Sequence, residues 1–470
     1  MDFTKAVSSR EGTAFLFGGS MTNILESVNK TVWGLPTLFL ILGVGIYLSF
    51  QTGFVQFRLF PKAIRLFLSK FSRKKACGGE VSPMQALCTA LAATVGTGNL
   101  AGVAGAIAIG GPGSIFWMWV CAFLGMVIKY AEATLSVRYC VRNSTGEKVG
   151  GPMYVILNAM GAKWKWLAAI YSFFGVIAAF GVGNATQINT LIYSIHDVLN
   201  NFGINPSFHW NLMMGIAFAI LIAVMLLGGA GRIGRTAERL VPFASVLYLL
   251  IGGYVLAVRV DAIPHAFAAI ISGAFSPQAV TGGVVGSMLQ SLRVGTSRGI
   301  FTNEAGMGTA GIAHSAADVT HPCEQGLMGI VEVFLDTIVI CTMTALVILC
   351  SGVMIPYGVD TGIQLTNMAF SAVMGQWVCI PICLAVCCFA FATVLGWGLY
   401  GARCAQFLLG DRAWKPFVVL QVVTVIIGAV LGTGTIWMLA EIVNGLMAIP
   451  NLIALAYLAP ELGSLTRGYK

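Results

Sequence analysis

Runs of about twenty apolar residues, each long enough to cross a lipid bilayer, recur eleven times along this chain of 470 residues. They occupy residues 33–52, 85–110, 114–137, 166–195, 211–229, 240–258, 283–310, 327–352, 373–402, 416–433 and 436–457. The composition agrees, because 57% of the residues are hydrophobic and 10% are charged, whereas soluble domains carry about 25% charged residues. The sequence therefore predicts an all-α membrane protein with eleven transmembrane helices.

The basic residues are distributed unevenly between the predicted loops. Most of the 27 Lys and Arg residues follow spans one, three, five and nine or lie at the C-terminal end. Because cytoplasmic loops are enriched in Lys and Arg, we expect the N-terminus outside and the C-terminus in the cytoplasm of a bacterial or archaeal cell. The same loops account for the net charge of +9 without a nucleic-acid partner. The first thirty residues show no cleavable signal peptide, so we expect the first span to direct insertion.

The twelve cysteines lie mostly inside apolar stretches and do not form the pattern of a disulfide framework. Cys379, Cys383 and Cys387 recur every four residues on one predicted helical face. A soft-metal site is the alternative to packing, but the absence of a nearby His or acid in the sequence favours packing.

Two of the predicted spans carry glycine and polar residues near their centres. Span two contains TVGTGN from Thr94 to Asn99, and span seven contains SMLQSLRVGTSRGIFTNEAGMGTAG from Ser287 to Gly311. Glycine destabilises a helix by about 1 kcal/mol relative to alanine, so both clusters predict helix breaks. Irregular backbone at membrane depth is tolerated only where it is buried in protein or lines a cavity. The two breaks therefore indicate a binding site.

The positions of the two breaks predict the domain organisation. The broken spans are the second and the seventh, so each opens a block of five spans, and an odd number of spans inverts the second block. We expect an N-terminal segment with the first span and a basic cytoplasmic loop (1–84), a first inverted repeat (85–258) and a second inverted repeat with a short tail (259–470). This is a five-plus-five core with one extra N-terminal helix.

Several motifs resemble those of a known family. TVGTGN resembles the broken first core helix of the leucine-transporter-like fold of sodium-coupled amino-acid transporters. RGIFTNEAGMGTA (298–310), KYAEATLSVRY (129–139), GGPMY (150–154) and HPCEQGL (321–327) resemble signatures of the alanine or glycine:cation symporter (sodium:alanine symporter) family of the amino-acid/polyamine/organocation superfamily. The resemblance covers nearly the whole chain. It implies symport of a small neutral amino acid, alanine or glycine, with sodium as the coupling ion and no other cofactor.

A zwitterionic substrate needs donors for its carboxylate and acceptors for its ammonium group. The two half-helices of a broken span supply both, because their free amides and carbonyls carry opposite partial charges. A glycine-lined packing face is the alternative interpretation. The residues expected to contact substrate in the two breaks are Gly96, Thr97, Gly98, Asn99, Gly295, Thr296 and Ser297.

The resemblance also implies a sodium site between the first broken helix and span nine. It joins carbonyls near Ala92 and Val95 to the hydroxyl of Thr393, and Asn99 is a further candidate ligand. Sodium is a hard ion that prefers such oxygen ligands. For an isolated Thr in a membrane helix, the alternative is a hydrogen bond to a carbonyl of the preceding turn.

Two further side chains are candidates for the substrate pocket. Gln187 in span four falls where members of the family carry a polar residue that contacts substrate, whereas Asn184 and Asn189 beside it either share that role or join helices. Trp397 follows Thr393 by four residues and shares its helical face. It either closes a small pocket or belongs to the aromatic belt near Arg403.

Charged residues also occur inside the predicted spans. Arg298 and Glu304 in span seven, with Arg293 nearby, are expected either to pair in a cytoplasmic gate or to extend towards water. Lys129 and Glu132 are three residues apart in span three and predict an intrahelical pair.

Other classes of function are less favoured. An intramembrane enzyme would use the cluster His314, Asp318, His321, Cys323 and Glu324, but these residues have neither the HExxH nor the GxSxG arrangement, and a solvated loop is the simpler interpretation. The sequence also lacks a P-loop, which argues against active transport driven by ATP. Paired breaks favour alternating access over a passive channel, and a proton-coupled symporter of the same fold is the nearest alternative.

Overall fold

The computed structural model describes residues 24–25, 27–29, 31–71, 81–275, 288–359, 362–430 and 434–469, and most of these are helical. The α-helices of this part of the chain are α1 Leu35–Thr52, α2 Val55–Arg58, α3 Phe60–Phe71, α4 Pro83–Thr94, α5 Val103–Gly110, α6 Gly113–Arg138, α7 Pro152–Val155, α8 Lys165–Phe180, α9 Thr186–Asn201, α10 Phe208–Leu226, α11 Gly229–Val258, α12 Ile263–Phe275, α13 Met288–Asn303, α14 Thr309–His314, α15 Pro322–Val333, α16 Thr342–Cys350, α17 Ile363–Met374, α18 Cys379–Leu409, α19 Trp414–Val430 and α20 Gly434–Gly468.

Shorter elements join or interrupt these helices. The π-helical segments are Gly98–Gly102, Ile156–Met160, Gly181–Ala185 and Phe334–Cys341. Short 3₁₀ turns cover Ala162–Trp164, Val260–Ala262, Gln376–Val378 and Asp411–Ala413. The strands β1 Val141–Arg142 and β2 Lys148–Val149 form a small antiparallel hairpin.

The described helices are those of a multi-pass membrane protein. Eight are long and apolar enough to span a bilayer, and the bent pair Pro83–Thr94 and Gly98–Gly110 brings the count to nine. The predicted spans one and seven contain α1 and α13, which do not reach the length of a membrane-spanning helix by the same criteria. α13 is also polar. The structure adds a short apolar helix, Val260–Phe275, between predicted spans six and seven. Residues 283–287 and 431–433 of the predicted spans lie outside the described residues.

The first break lies where the sequence predicts it. α4 begins with a capping box, in which Ser82 and Gln85 each accept a backbone N–H of the other. The helix ends at Thr94, and Val95 is extended (φ −77°, ψ 96°). Helical structure resumes at Gly98, and the two helical segments are bent by 49° relative to each other. Backbone groups at the bend leave the helical ladder and become available to side chains.

The predicted unwound segment of span seven is wrong. α13 continues through residues 295–297 without interruption. Gly295 instead permits close helix packing, because a Cβ there would clash with the carbonyl of Ser114 in α6 and would lie 2.9 Å from Cβ of Trp117. The same sequence signal, glycine among polar residues, thus marks a helix–helix contact at this position.

The second break follows α13. The helix ends at Asn303, and the backbone takes left-handed φ values at Glu304 (54°), Gly306 (96°) and Gly308 (77°) before α14 begins. Glycine adopts this region without strain, whereas Glu304 does so at a cost that its surroundings must offset. The interruption of span seven therefore lies at residues 304–308, after the end of α13, and not at 295–297.

Two long helices organise the interior of the bundle. α6 packs against α13 and α15, and α18 packs against α8, α9 and α11. α18 also contacts α4, which precedes the first break, and α14, which follows the second. Both breaks therefore face the same buried helix.

Replacing Gly295 with alanine tests the packing role of this glycine. The added methyl group has no room against Ser114, so we expect a loss of about 1–3 kcal/mol and a lower melting temperature of the purified protein. Gly253→Ala in α11 is the matched control, because no atom lies within 4 Å of a Cβ built there. Equal melting temperatures for the two variants would contradict this assignment.

Candidate functional site

Side chains from three spans meet at the first break. The hydroxyl of Thr97 donates to Oε1 of Gln187 over 3.1 Å, and Gly96 lies so close to α18 that a Cβ would be 2.8 Å from Oγ1 of Thr393. Thr97, Gln187 and Thr393 are all buried. The structure thus brings together three elements that are far apart in the sequence, as expected for a site at the break.

The candidate sodium ligands Ala92 and Thr393 are in direct contact. Oγ1 of Thr393 donates to the carbonyl of Ala92 over 2.9 Å and also lies 2.9 Å from the carbonyl of Phe389, one turn earlier in its own helix. Val95 is the extended residue that ends α4, so its carbonyl departs from the helix direction. These oxygens have the chemistry that sodium prefers.

The amides of span four have separate roles. Gln187 contacts the first break through its Oε1, and its Nε2 donates to the carbonyl of Val182 in the π-helical segment. Asn184 donates to the carbonyl of Gln421 and Asn189 to that of Gly428, both in α19. Of the two roles left open by the sequence for Asn184 and Asn189, the structure shows that both residues join helices. Gln187 instead contacts the first break.

Asn99 connects the first break to an acidic residue that the sequence analysis missed. Its Oδ1 accepts the N–H of Gly96 over 2.8 Å, and its Nδ2 donates to Oδ1 of Asp336 over 2.7 Å. Asp336 is fully buried in the π-helical segment Phe334–Cys341, and its Oδ2 accepts from the hydroxyl of Thr337. Among the described residues no basic side chain forms an ion pair with it. A carboxylate inside the apolar run 327–352 was a sufficient signal, because ionisable residues in membrane spans are usually functional.

The remaining residues predicted in the two breaks lie in different surroundings. Gly98 packs against Thr302 of α13, and the carbonyl of Thr296 accepts a weak hydrogen bond from the thiol of Cys121 in α6. Ser297 lines a cavity of about 260 Å³ together with Trp33 and Arg293. The structure therefore does not bring residues 295–297 to the first break.

Arg298 lines the same cavity and forms an ion pair there. Nη1 of Arg298 donates to Oε1 of Glu441 over 3.2 Å, and Nε1 of Trp33 donates to the carbonyl of Glu441. Trp33 precedes α1, whereas the basic residues Arg58 and Lys62 follow it at the other end. Arg298 therefore pairs with Glu441 beside Trp33, and the expected pairing of Arg298 with Glu304 is wrong.

Trp397 and Glu304 are both buried, which excludes the aromatic belt for Trp397 and contact with water for Glu304. Nε1 of Trp397 donates to Oε1 of Glu304 over 2.9 Å. Trp397 also packs against Gly183, where a Cβ would clash with the indole. The indole lies between the second break and the π-helical segment of span four.

A buried charge network lies beside the second break. Lys129 pairs with Glu332 over 2.8 Å and not with Glu132, so the predicted intrahelical pair is wrong. Glu132 instead accepts the N–H groups of Gly306 and Gly308 and the side chain of Asn451 on a single oxygen. The backbone amides of Gly306 and Gly308, which no longer take part in a helix, approach Glu132 from the segment that follows α13. Spacing along one helix does not reveal such a contact.

The residues of the conceivable enzyme cluster are dispersed. His314 is buried between Glu332 and Gln325, whereas Asp318 pairs with Lys148, Glu324 pairs with Lys70, and His321 caps α15 through the N–H of Cys323. In the described part of the chain, no group of three or more His, Cys, Asp or Glu residues has the arrangement of a metal site.

Two partly unwound helices buried inside a bundle of apolar spans are the arrangement of secondary transporters. The fold and the site thus define the class, a multi-pass membrane transporter. The profile of the sodium:alanine symporter family matches residues 19–470, and the chain belongs to this family.

Individual proteins support this assignment. The chain is 41% identical over 451 residues to the sodium/alanine symporter AgcS of Methanococcus maripaludis, which covers 95% of this chain and 97% of the relative. It is 36% identical over 424 residues to the amino-acid carrier protein AlsT of Bacillus subtilis, covering 90% and 86%. The fold is similar to that of MhsT, solved in complex with L-phenylalanine, with a TM-score of 0.56 at 14% identity over 84% of this chain and 99% of that chain.

Replacing Lys129 with methionine tests the buried ion pair. The substitution leaves the carboxylate of Glu332 buried without its cation, and we expect a loss of about 3–5 kcal/mol of stability and a clearly lower melting temperature. The double variant K129M/E332Q should recover part of this loss.

The control for this prediction is Arg138→Gln. Arg138 pairs with Glu461 at 44% and 28% side-chain exposure, and such pairs contribute about 0–1 kcal/mol. If K129M and R138Q lowered the melting temperature equally, the buried ion pair would contribute no more to stability than the exposed one, and the prediction would be contradicted.

Proposed function

We propose that this protein is a sodium-coupled symporter that imports small neutral amino acids, alanine and glycine, by alternating access. The proposal includes eleven spans, with residues 85–258 and 259–470 as inverted repeats, and a plasma-membrane location with the N-terminus outside and the C-terminus in the cytoplasm. Membership of the family and the two broken spans support it.

The observation that carries the proposal is the meeting of Thr393 with Ala92 next to Gly96, Thr97 and Gln187. In this arrangement sodium binds the hydroxyl of Thr393 and the carbonyls of Ala92 and Val95. The substrate carboxylate binds the amides that follow Gly96, and Oε1 of Gln187 accepts from the ammonium group. Sodium holds the bend in the form that binds substrate, so each ligand raises the affinity for the other.

Asp336 favours a second candidate function, proton-coupled symport on the same fold. A buried carboxylate that forms no ion pair within the described part of the chain binds a cation or a proton, because an isolated charge is costly in hydrocarbon. Beside Asn99, a predicted sodium ligand, Asp336 supplies a negative charge that attracts either ion.

Uptake of radiolabelled alanine and glycine into proteoliposomes tests both functions. We expect concentrative uptake with an inward sodium gradient at fixed pH, and none with choline in place of sodium. Accumulation driven by a proton gradient alone would replace the sodium proposal with the proton alternative. Equilibration without accumulation would indicate a passive channel and contradict symport.

Replacing Thr393 with valine tests the sodium ligand. Valine is nearly isosteric but lacks the hydroxyl, so we expect the sodium concentration for half-maximal uptake to rise about tenfold, which corresponds to about 1.4 kcal/mol. Thr190→Val is the matched control, because the buried hydroxyl of Thr190 donates to the carbonyl of Thr186, one turn earlier in its own helix. An unchanged sodium dependence in T393V would remove Thr393 from the site.

A further inference from the structure

The indole of Trp397 is held on two sides. On one side Nε1 donates to Oε1 of Glu304 over 2.9 Å. On the other side, Cβ of Trp397 and the adjoining edge of the ring lie against Gly183, where even a methyl group would clash. The side chain is 1% exposed, so it has neither water nor free space into which to rotate.

Glu304 is itself held in place. Its Oε2 accepts from the hydroxyl of Thr309, the first residue of α14, over 2.6 Å. Its backbone has a left-handed φ of 54°, which a non-glycine residue adopts only where the surroundings impose it. Both carboxylate oxygens therefore have donors, and the position of the carboxylate depends on the geometry of the second break.

Trp397 is also close to two of the groups that reach the first break from outside span two, Thr393 and Gln187. Thr393, which contacts Ala92, precedes it by one helical turn on α18. Gly183 belongs to the π-helical segment whose Val182 carbonyl accepts from Gln187. A shift of the indole would therefore displace the contacts around the substrate.

We propose that Glu304 is a positioning residue for substrate size: its carboxylate fixes the indole of Trp397 between the second break and Gly183, one helical turn from Thr393, and thereby limits the accepted side chain to hydrogen or methyl. The inference rests on the proposed function. Under this inference, the second break determines the size of the pocket at the first break through the hydrogen bond between Glu304 and Trp397.

The test is the ratio of kcat/KM for sodium-driven uptake of alanine over valine in proteoliposomes. Glu304→Ala and Trp397→Phe each remove one partner of the hydrogen bond, and we expect each to lower the ratio about tenfold, the scale on which a pocket discriminates a methylene group. Because both act on one contact, the double variant should lower the ratio no further.

Glu304→Gln separates the hydrogen bond from the charge. Its amide oxygen can accept from Trp397 and its NH₂ group can donate to Thr309, so we expect it to keep the wild-type ratio whatever its overall rate. Trp119→Phe is the control for loss of an indole donor, because Nε1 of Trp119 bonds the hydroxyl of Thr342 at another place in the bundle.

An unchanged alanine-to-valine ratio in W397F would overturn the inference, as would a ratio in E304Q that falls as far as in E304A. If the wild-type protein transports neither alanine nor glycine, the proposed function fails independently of this inference. A double-mutant cycle of melting temperatures for Glu304→Ala and Trp397→Phe then decides the present inference, which requires the two substitutions to be non-additive. If E304A does not fold, W397F, W119F and E304Q still give the decisive ratios.

Discussion

Backbone N–H and C=O groups inside hydrocarbon must find partners within the protein, and the two broken spans depend on this requirement. At the first break, the side chain of Asn99 accepts the N–H of Gly96, and Thr393 donates to the carbonyl of Ala92. At the second break, Glu132 accepts two backbone N–H groups and Asn451 donates to the carbonyl of Gly306. Each break is therefore stabilised by polar side chains at the same depth, from span two itself in the case of Asn99 and otherwise from other spans.

This requirement also explains why charged residues are tolerated so deep in the bundle. Glu132 stabilises the unwound backbone of the second break, and Lys129, Glu332 and His314 form a compact network beside it. Charges that are paired and hydrogen-bonded in this way avoid most of the cost of an isolated ion. The network ties α6, α14 and α15 together around the break, so movement at the break must be shared by these helices.

The parts of the site that could be predicted follow either from local sequence or from the family resemblance. Eight apolar helices, the bent pair at TVGTGN and the closeness of Thr393 to Ala92 agree with the sequence analysis. Asp336 was also accessible, since an acid in an apolar run is a clear signal, but it was overlooked, as was Glu332 in the same run. The inverted repeat and the orientation of the termini stay predictions.

The sequence by itself determined that the chain spans a membrane many times and that span two is broken, because apolar run length and clustered glycines act locally. Only the tertiary structure decided what each polar residue does. Gly295 looked like a break and is a packing contact, and Lys129 has its partner on another helix. Glycine and charge have several uses in a membrane helix, and the choice among them depends on which neighbouring helix lies opposite, a long-range property that no local pattern contains.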